Sequence, residues 1–204
     1  MLVRRAIAYL IDIIIVVFAA SMLASISYLN PQLKEYEKAY DEYSEFYDDY
    51  KANMKNLKDE ETIAKYKTRL EEVNYNLNKN NVYGAIISIT LYIIYFAFFQ
   101  KYNGGQTLGK KLTRLRVEPN LSLPKYLLRT IVLHNVWINA LKVVLILTVS
   151  KSHDILLNNV LSIVALVIET TILIMASTRS DNKGLHDFIV GSKVTLLPKE
   201  KREA

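Results

Sequence analysis

Cysteine is absent from this 204-residue chain, which removes disulfides, thiolate catalysis and the usual zinc frameworks together. Histidine occurs only as His134, His153 and His186. These are scattered, and no nucleophile–base arrangement can be read beside them. The expectation is a protein with no catalytic residue, no bound metal and no cofactor, and hence not an enzyme. Acids are nearly missing from one long stretch, where seven Lys/Arg between Lys101 and Arg129 face a single Glu118. The net charge of +6 gives no argument for nucleic acid, because the basic excess follows a membrane topology.

Apolar residues are strongly segregated. Half of the chain is hydrophobic (51%) beside 23% charged residues, and the mean hydropathy is positive. This is not the averaged mixture of a soluble domain. The apolar residues fall in three blocks, 6–29, 83–99 and 126–178. Roughly 20 residues cross the hydrocarbon core, so the last block holds two spans. A soluble fold would have to hide these blocks in a core too small for them.

Lys/Arg bias sets the orientation. Residues 179–204 carry six Lys/Arg against four acids, and residues 30–82 carry nine against twelve. Basic flanks stay cytoplasmic, so both termini and the turn 101–125 are expected inside, with 30–82 outside. Four spans satisfy that count. The start, with Arg4-Arg5, an apolar run and small residues at Ala20–Ser25, loosely imitates a signal peptide. Asp12 inside the run and the run's 24 residues argue against cleavage.

Asp12 is the most informative residue of the first run. A carboxylate in a membrane span costs several kcal/mol without a partner, which makes it a functional-site hypothesis by default. Arg5 precedes it by seven residues, almost two helical turns, so both project from nearly the same face. The expectation is an Arg5–Asp12 pair inside a helix bundle.

The first span should end near Asn30-Pro31, since proline disfavours helix at the residue before it. Beyond it, Leu33, Tyr36, Tyr40, Tyr43, Tyr47, Tyr50, Met54 and Leu57 alternate spacings of three and four, a heptad seam. The phase breaks at Lys58–Thr62 and resumes with Ile63, Tyr66, Leu70, Val73 and Leu77. Two helices in antiparallel follow, the first about 40 Å long. Tyrosine needs a partner for its hydroxyl, so the seam is either wet intramolecular packing or a surface that binds a partner or a second copy.

Tyr83 to Phe99 makes the second span, with Tyr83 and Tyr102 at the levels where aromatic belts sit. The turn that follows has a superficial likeness to a phosphate loop through Gly104, Gly109 and Lys110, but Lys111 replaces the magnesium-binding hydroxyl and a membrane helix precedes it. It reads as a tight juxtamembrane turn whose lysines face anionic headgroups of the lipid bilayer. Helix resumes at Tyr126, and Asn135, Asn139 and Lys142 should share one face of the third span as interhelical hydrogen-bonding groups. The fourth span, Ile155 to Ser177, carries Glu169, for which Lys142 is the nearest cation by helical rise.

Three separated pieces together resemble the RDD family of membrane proteins. Arg5, Ala8 and Asp12 match an R-x-x-A-x-x-x-D opening. Gly105-Gln106-Thr107-Leu108-Gly109-Lys110 with Leu115-Arg116-Val117 matches a GQTLGK…LRV segment. Leu185-His186-Asp187 with Gly191-Ser192-Lys193-Val194 matches a closing LHD…G-T-x-V element, with Ser192 in place of threonine. The segment 30–82 is longer and more helical than the family usually has. The resemblance gives Asp187 a role, either pairing with Arg5 or the basic turn, or transport.

The expected fold is all-α: a four-helix transmembrane bundle in the cell membrane with an extracellular, coiled-coil-like helical hairpin. Its parts are 1–29, the hairpin 30–82, 83–178 and a cytoplasmic tail 179–204. Two functions follow. One is an accessory or regulatory subunit that binds a protein partner through the tyrosines of the hairpin, its buried charges fixing the bundle. The other, the activity most often suggested for relatives, is cation/proton antiport or small-solute transport by a homo-oligomer with Asp12 and Glu169 in the membrane. The hairpin favours the first, and that is the reading taken.

Overall fold

The computed structural model describes residues 1–53 and 59–198. Helix dominates. Three helices are long and apolar enough to cross a membrane: α1 (Leu2–Ala24), α4 (Val82–Tyr102) and α8 (Lys151–Thr178). Between the last two lie α6 (Leu123–Leu133) and α7 (Val136–Thr148), which bend by 68° at their junction and make a fourth span if taken together. The hairpin helices are α2 (Leu33–Asn53) and α3 (Glu60–Asn80). Short elements complete the chain: α5 (Leu108–Leu112), β1 (Leu115–Glu118), α9 (Leu185–Val190) and β2 (Lys193–Leu196).

α1 stops at Ala24, five residues earlier than the apolar run. Buried Asn30 closes the turn by donating from Nδ2 to the Ala24 carbonyl at 2.9 Å. α4 is interrupted by a π-helical turn at Ile94–Phe99. Such turns shift the register of side chains on a helix face, and here Tyr95 faces α1 while Phe96 and Ala97 are buried. The bend between α6 and α7 comes from Asn135, whose φ of 49° is left-handed, a conformation asparagine tolerates better than most residues. The expected third span is therefore two helices at an angle, and Asn135 does not continue the helix face of Asn139 and Lys142.

α2 and α3 pack on each other, but the tyrosine seam read from the sequence is rotated. The buried side of α2 carries Ala39 and Phe46, with Tyr36, Tyr43 and Tyr50 half-buried beside them. Tyr40 and Tyr47 stay 53% and 45% exposed. Phe46 brings no hydroxyl into the seam and Ala39 lets the helices approach, so this stripe excludes water at less cost than an all-tyrosine one. Phe46 packs on Tyr50 and on Tyr66 of α3, with ring centroids 6.3 and 6.0 Å apart. Tyr66 donates its hydroxyl to Asp49 at 2.7 Å. Asp59 caps α3 by accepting the Thr62 amide at 2.7 Å, as an N-cap aspartate does. Met54, Leu57 and the expected break at Lys58 lie outside the described residues.

The chain is not all-α. β1 and β2 pair antiparallel, with Val117 opposite Val194 and Arg116 opposite Thr195. Leu115 and Val117 point inward, alternating with Arg116 and Glu118, the period-2 pattern of a half-buried strand. This small sheet joins α5, α6 and α9 around the start of α1 and the end of α4. Ala8, Ala97, Leu115, Val117, Tyr126, Val190 and Val194 form the packed core there.

Candidate functional site

That core carries two buried carboxylates, Asp12 and Asp187, each fully enclosed. Asp12 projects from α1 at the start of α5. Its Oδ1 accepts the Gly109 amide at 2.8 Å and the Tyr95 hydroxyl at 2.7 Å. Its Oδ2 accepts the Thr107 hydroxyl at 2.5 Å, with Lys110 Nζ at 3.9 Å. Tyr95 in turn accepts the Leu108 amide at 3.1 Å. Three hydrogen-bond donors thus satisfy the buried carboxyl, with Lys110 farther off.

The residues of the basic turn build this cradle from below. Thr107 is the N-cap of α5. Gly109 permits the contact, since a side chain there would collide with the Ala8 carbonyl and sit 2.9 Å from the Asp12 carboxylate. Gly105 has a φ of +84°, where glycine is strain-free. Its carbonyl accepts from Val117 and from Gln100 Nε2 at 3.0 and 3.1 Å. Gln106 donates to the Leu115 carbonyl at 2.8 Å, which fixes the turn to β1.

Lys110 does not face headgroups. Its side chain is buried, with Nζ 3.3 Å from the Thr107 hydroxyl and 5.8 Å from the centre of the Phe96 ring. Burial, and then the Arg129 charge, push its ammonium down to about 7 against the pull of Asp12.

Asp187, in the first turn of α9, is the second centre. Arg129 from α6 donates Nε and Nη2 to Oδ1 at 3.0 and 2.9 Å, and Ser192 donates to the same oxygen at 3.2 Å. Arg5 from α1 donates Nη2 to Oδ2 at 2.7 Å and Nη1 to the Asn182 carbonyl. Burial would raise the Asp187 carboxyl, but Arg129, His186 and Arg5 outweigh it and hold the group well below the usual carboxylate range. His186 is buried alongside, Nε2 at 3.4 Å from Oδ2. Burial and the Arg129 charge push this imidazole down to about 4 despite the adjacent carboxylate.

A pH dependence follows from His186. Unfolded, it takes a proton near pH 6.5; folded, it stays neutral down to about 4. The unfolded chain therefore binds more protons between these values, and stability falls as pH drops through that window, by about 1.4 kcal/mol per unit at its steepest. Asp187 adds its own loss only at more acid pH, because its folded value is depressed. In thermal unfolding followed in detergent, His186→Gln should flatten the slope between pH 6.5 and 4. An unchanged slope would contradict this burial of a neutral ring.

Two pairings expected from the sequence are not made. Arg5 binds Asp187 rather than Asp12, because seven residues of helix separate the two by about 10 Å and α5 occupies the space at Asp12. Lys142 does not reach Glu169. It donates to Ser162 at 2.9 Å, whereas Glu169 lies exposed on the outer surface and accepts from Asn135 at 2.9 Å. Asp12 and Glu169 thus belong to separate networks. Tyr36, Tyr40, Tyr43, Tyr47 and Tyr50 all lie on the hairpin, away from both carboxylates. Among the described residues, no group of three or more His, Asp or Glu is placed to hold a metal ion.

Arg129 escaped the sequence reading. The signal was available: an arginine inside the apolar run Tyr126–Leu133 meets the same criterion that singled out Asp12. The family model that matches the chain is that of the RDD family, over residues 1–191. This range contains both carboxylate centres and their partners except Ser192, which follows it directly. No curated protein and no solved structure matches the chain.

Proposed function

The chain belongs to the RDD family, and from that premise we propose that this multi-pass membrane protein is an accessory subunit whose α2–α3 hairpin holds a partner protein. The observation that carries this reading is an open groove of about 780 Å³ along the hairpin. Phe46 and Tyr66 line it, and Tyr47, Ile63 and Leu70 border it while remaining exposed. An exposed apolar groove outside the spans has no lipid to cover it and marks an interaction surface. α2 carries seven acids against three lysines, so the partner is a basic amphipathic helix laid into the groove.

The buried carboxylates support the same division of labour. Asp12 and Asp187 are saturated by donors of the protein itself, as groups that fix a bundle are. Cation/proton exchange by Asp12 with Glu169 has less support, since the two do not share a site. The Lys/Arg distribution supports an external hairpin with cytoplasmic termini.

A photoreactive residue in place of exposed Tyr47 tests the proposal in cells. One discrete protein adduct is expected, lost on Ile63→Asp while the hairpin stays folded. Phe46→Ala should instead loosen the hairpin itself, by roughly 3 kcal/mol. A cysteine at Ser44 should be labelled from outside and one at Lys193 should not. Proton flux in proteoliposomes, abolished by Asp12→Asn in folded protein, would replace the accessory reading with transport.

A further inference from the structure

A second cavity, of about 530 Å³, opens where the base of α3 meets the first halves of α4 and α8 and the face of α7. Its lining mixes polar and apolar side chains although three of its walls are membrane helices. Asn81, Ser88, Asn139, Lys142, Asp154 and Asn158 all contribute. Asp154, Asn158 and Ser162 form one stripe along α8. Asp154 is 2% exposed and accepts from Asn158 Nδ2 at 2.8 Å. Lys142 reaches in from α7 to Ser162.

Neither charge has a counter-ion. Among the described residues, no acid lies within ion-pair distance of Lys142 and no cation within that distance of Asp154. Asp154 is buried and Lys142 half-buried, and a buried charge without a partner is costly. These two line one cavity, and the residues that hold them, Asp154 and Ser162, stand about 12 Å apart along α8. We propose that the cavity is a binding site for a zwitterionic solute of short-peptide size, its ammonium on Asp154 and its carboxylate on Lys142.

The chemistry selects this class. The membrane helices present one acid and one cation here, Asp154 and Lys142, and α3 adds Glu71 and Lys67; a simple cation or anion would meet a like charge, while a neutral sugar would leave Asp154 and Lys142 unpaired. An extended tripeptide separates its terminal charges by about 10 Å. Between the ends, the amides of Asn139 and Asn158 offer donors and acceptors to peptide groups. Lys67, Leu70 and Asn74 of α3 line both this cavity and the hairpin groove, but Asp154 and Lys142 belong to this cavity alone.

Titration of the intact, detergent-purified protein with tri-alanine tests the assignment calorimetrically. Saturable binding is expected, weakened at least tenfold by N-acetylation of the peptide and by C-amidation. Asp154→Asn should erase the difference between free and acetylated peptide, and Lys142→Gln that between free and amidated peptide. The comparison of the three peptides on wild-type protein stands even where a variant fails to fold. Equal binding of all three, no saturable binding, or preference for sucrose would overturn the proposal.

Discussion

Asp187→Asn is expected to be one of the most destabilising single substitutions in this protein. It leaves Arg129, itself buried, and half-buried Arg5 facing a neutral amide. Removing one partner of a buried pair typically costs roughly 3–5 kcal/mol, and here one carboxylate serves two guanidinium groups. A large part of the protein should fail to accumulate. In a double-mutant cycle followed by thermal unfolding in detergent, Arg5→Gln and Asp187→Asn should couple by more than about 1 kcal/mol, as contacting residues do. Arg5→Gln and Asp12→Asn should be additive within about 0.5 kcal/mol, because they touch different partners. Coupling between Arg5 and Asp12, with none between Arg5 and Asp187, would refute the arrangement.

Gly109→Val is the second large effect. A Cβ at this position runs into the Ala8 carbonyl oxygen, which is backbone and cannot rotate away, and into the Asp12 carboxylate. The only relief is to move α5 from α1. That movement breaks the Gly109 amide and Thr107 hydroxyl bonds to Asp12 together and leaves the buried carboxyl with the Tyr95 hydroxyl as its one remaining hydrogen-bond donor. A loss of more than about 4 kcal/mol, in the exceptional range for one substitution, should show as failure to purify folded protein. Gly104→Ala is the contrasting control, since nothing lies within 4 Å of a Cβ there; its cost should be confined to the positive φ. Equal tolerance of both substitutions would mean that α5 does not dock on α1.

Long apolar runs made the spans readable, because a membrane helix is specified by composition over some twenty residues. Arg5, Asp12 and Asp187 were readable as important because charge inside or beside such runs is rare. Their partners were not. Arg5 and Asp187 are 182 residues apart in sequence, and no local pattern pairs them; proximity along α1 favoured Asp12 instead. The strand at Leu115–Glu118 is four residues long, too short for alternation to stand out beside the basic turn. The bend at Asn135 carries neither proline nor glycine, so the asparagine that creates it looked like one more polar group on a helix. On α2, spacing alone admitted the stripe through Tyr40 and Tyr47 as readily as the neighbouring one through Ala39 and Phe46. The hydroxyl-free side chain decides between them.

The pairing of Arg5 with Asp187 also imposes an order on the life of the molecule. Arg5 is made early and Asp187 late, and at roughly 5–20 residues per second the arginine waits on the order of ten to thirty seconds for its carboxylate. Arg129 waits too, though for less time. Until α9 leaves the ribosome, α1 lies in the membrane without its tie, and the small sheet lacks β2. Synthesis interrupted before Asp187 therefore yields helices without the carboxylate that ties Arg5 to Arg129 and without the second strand.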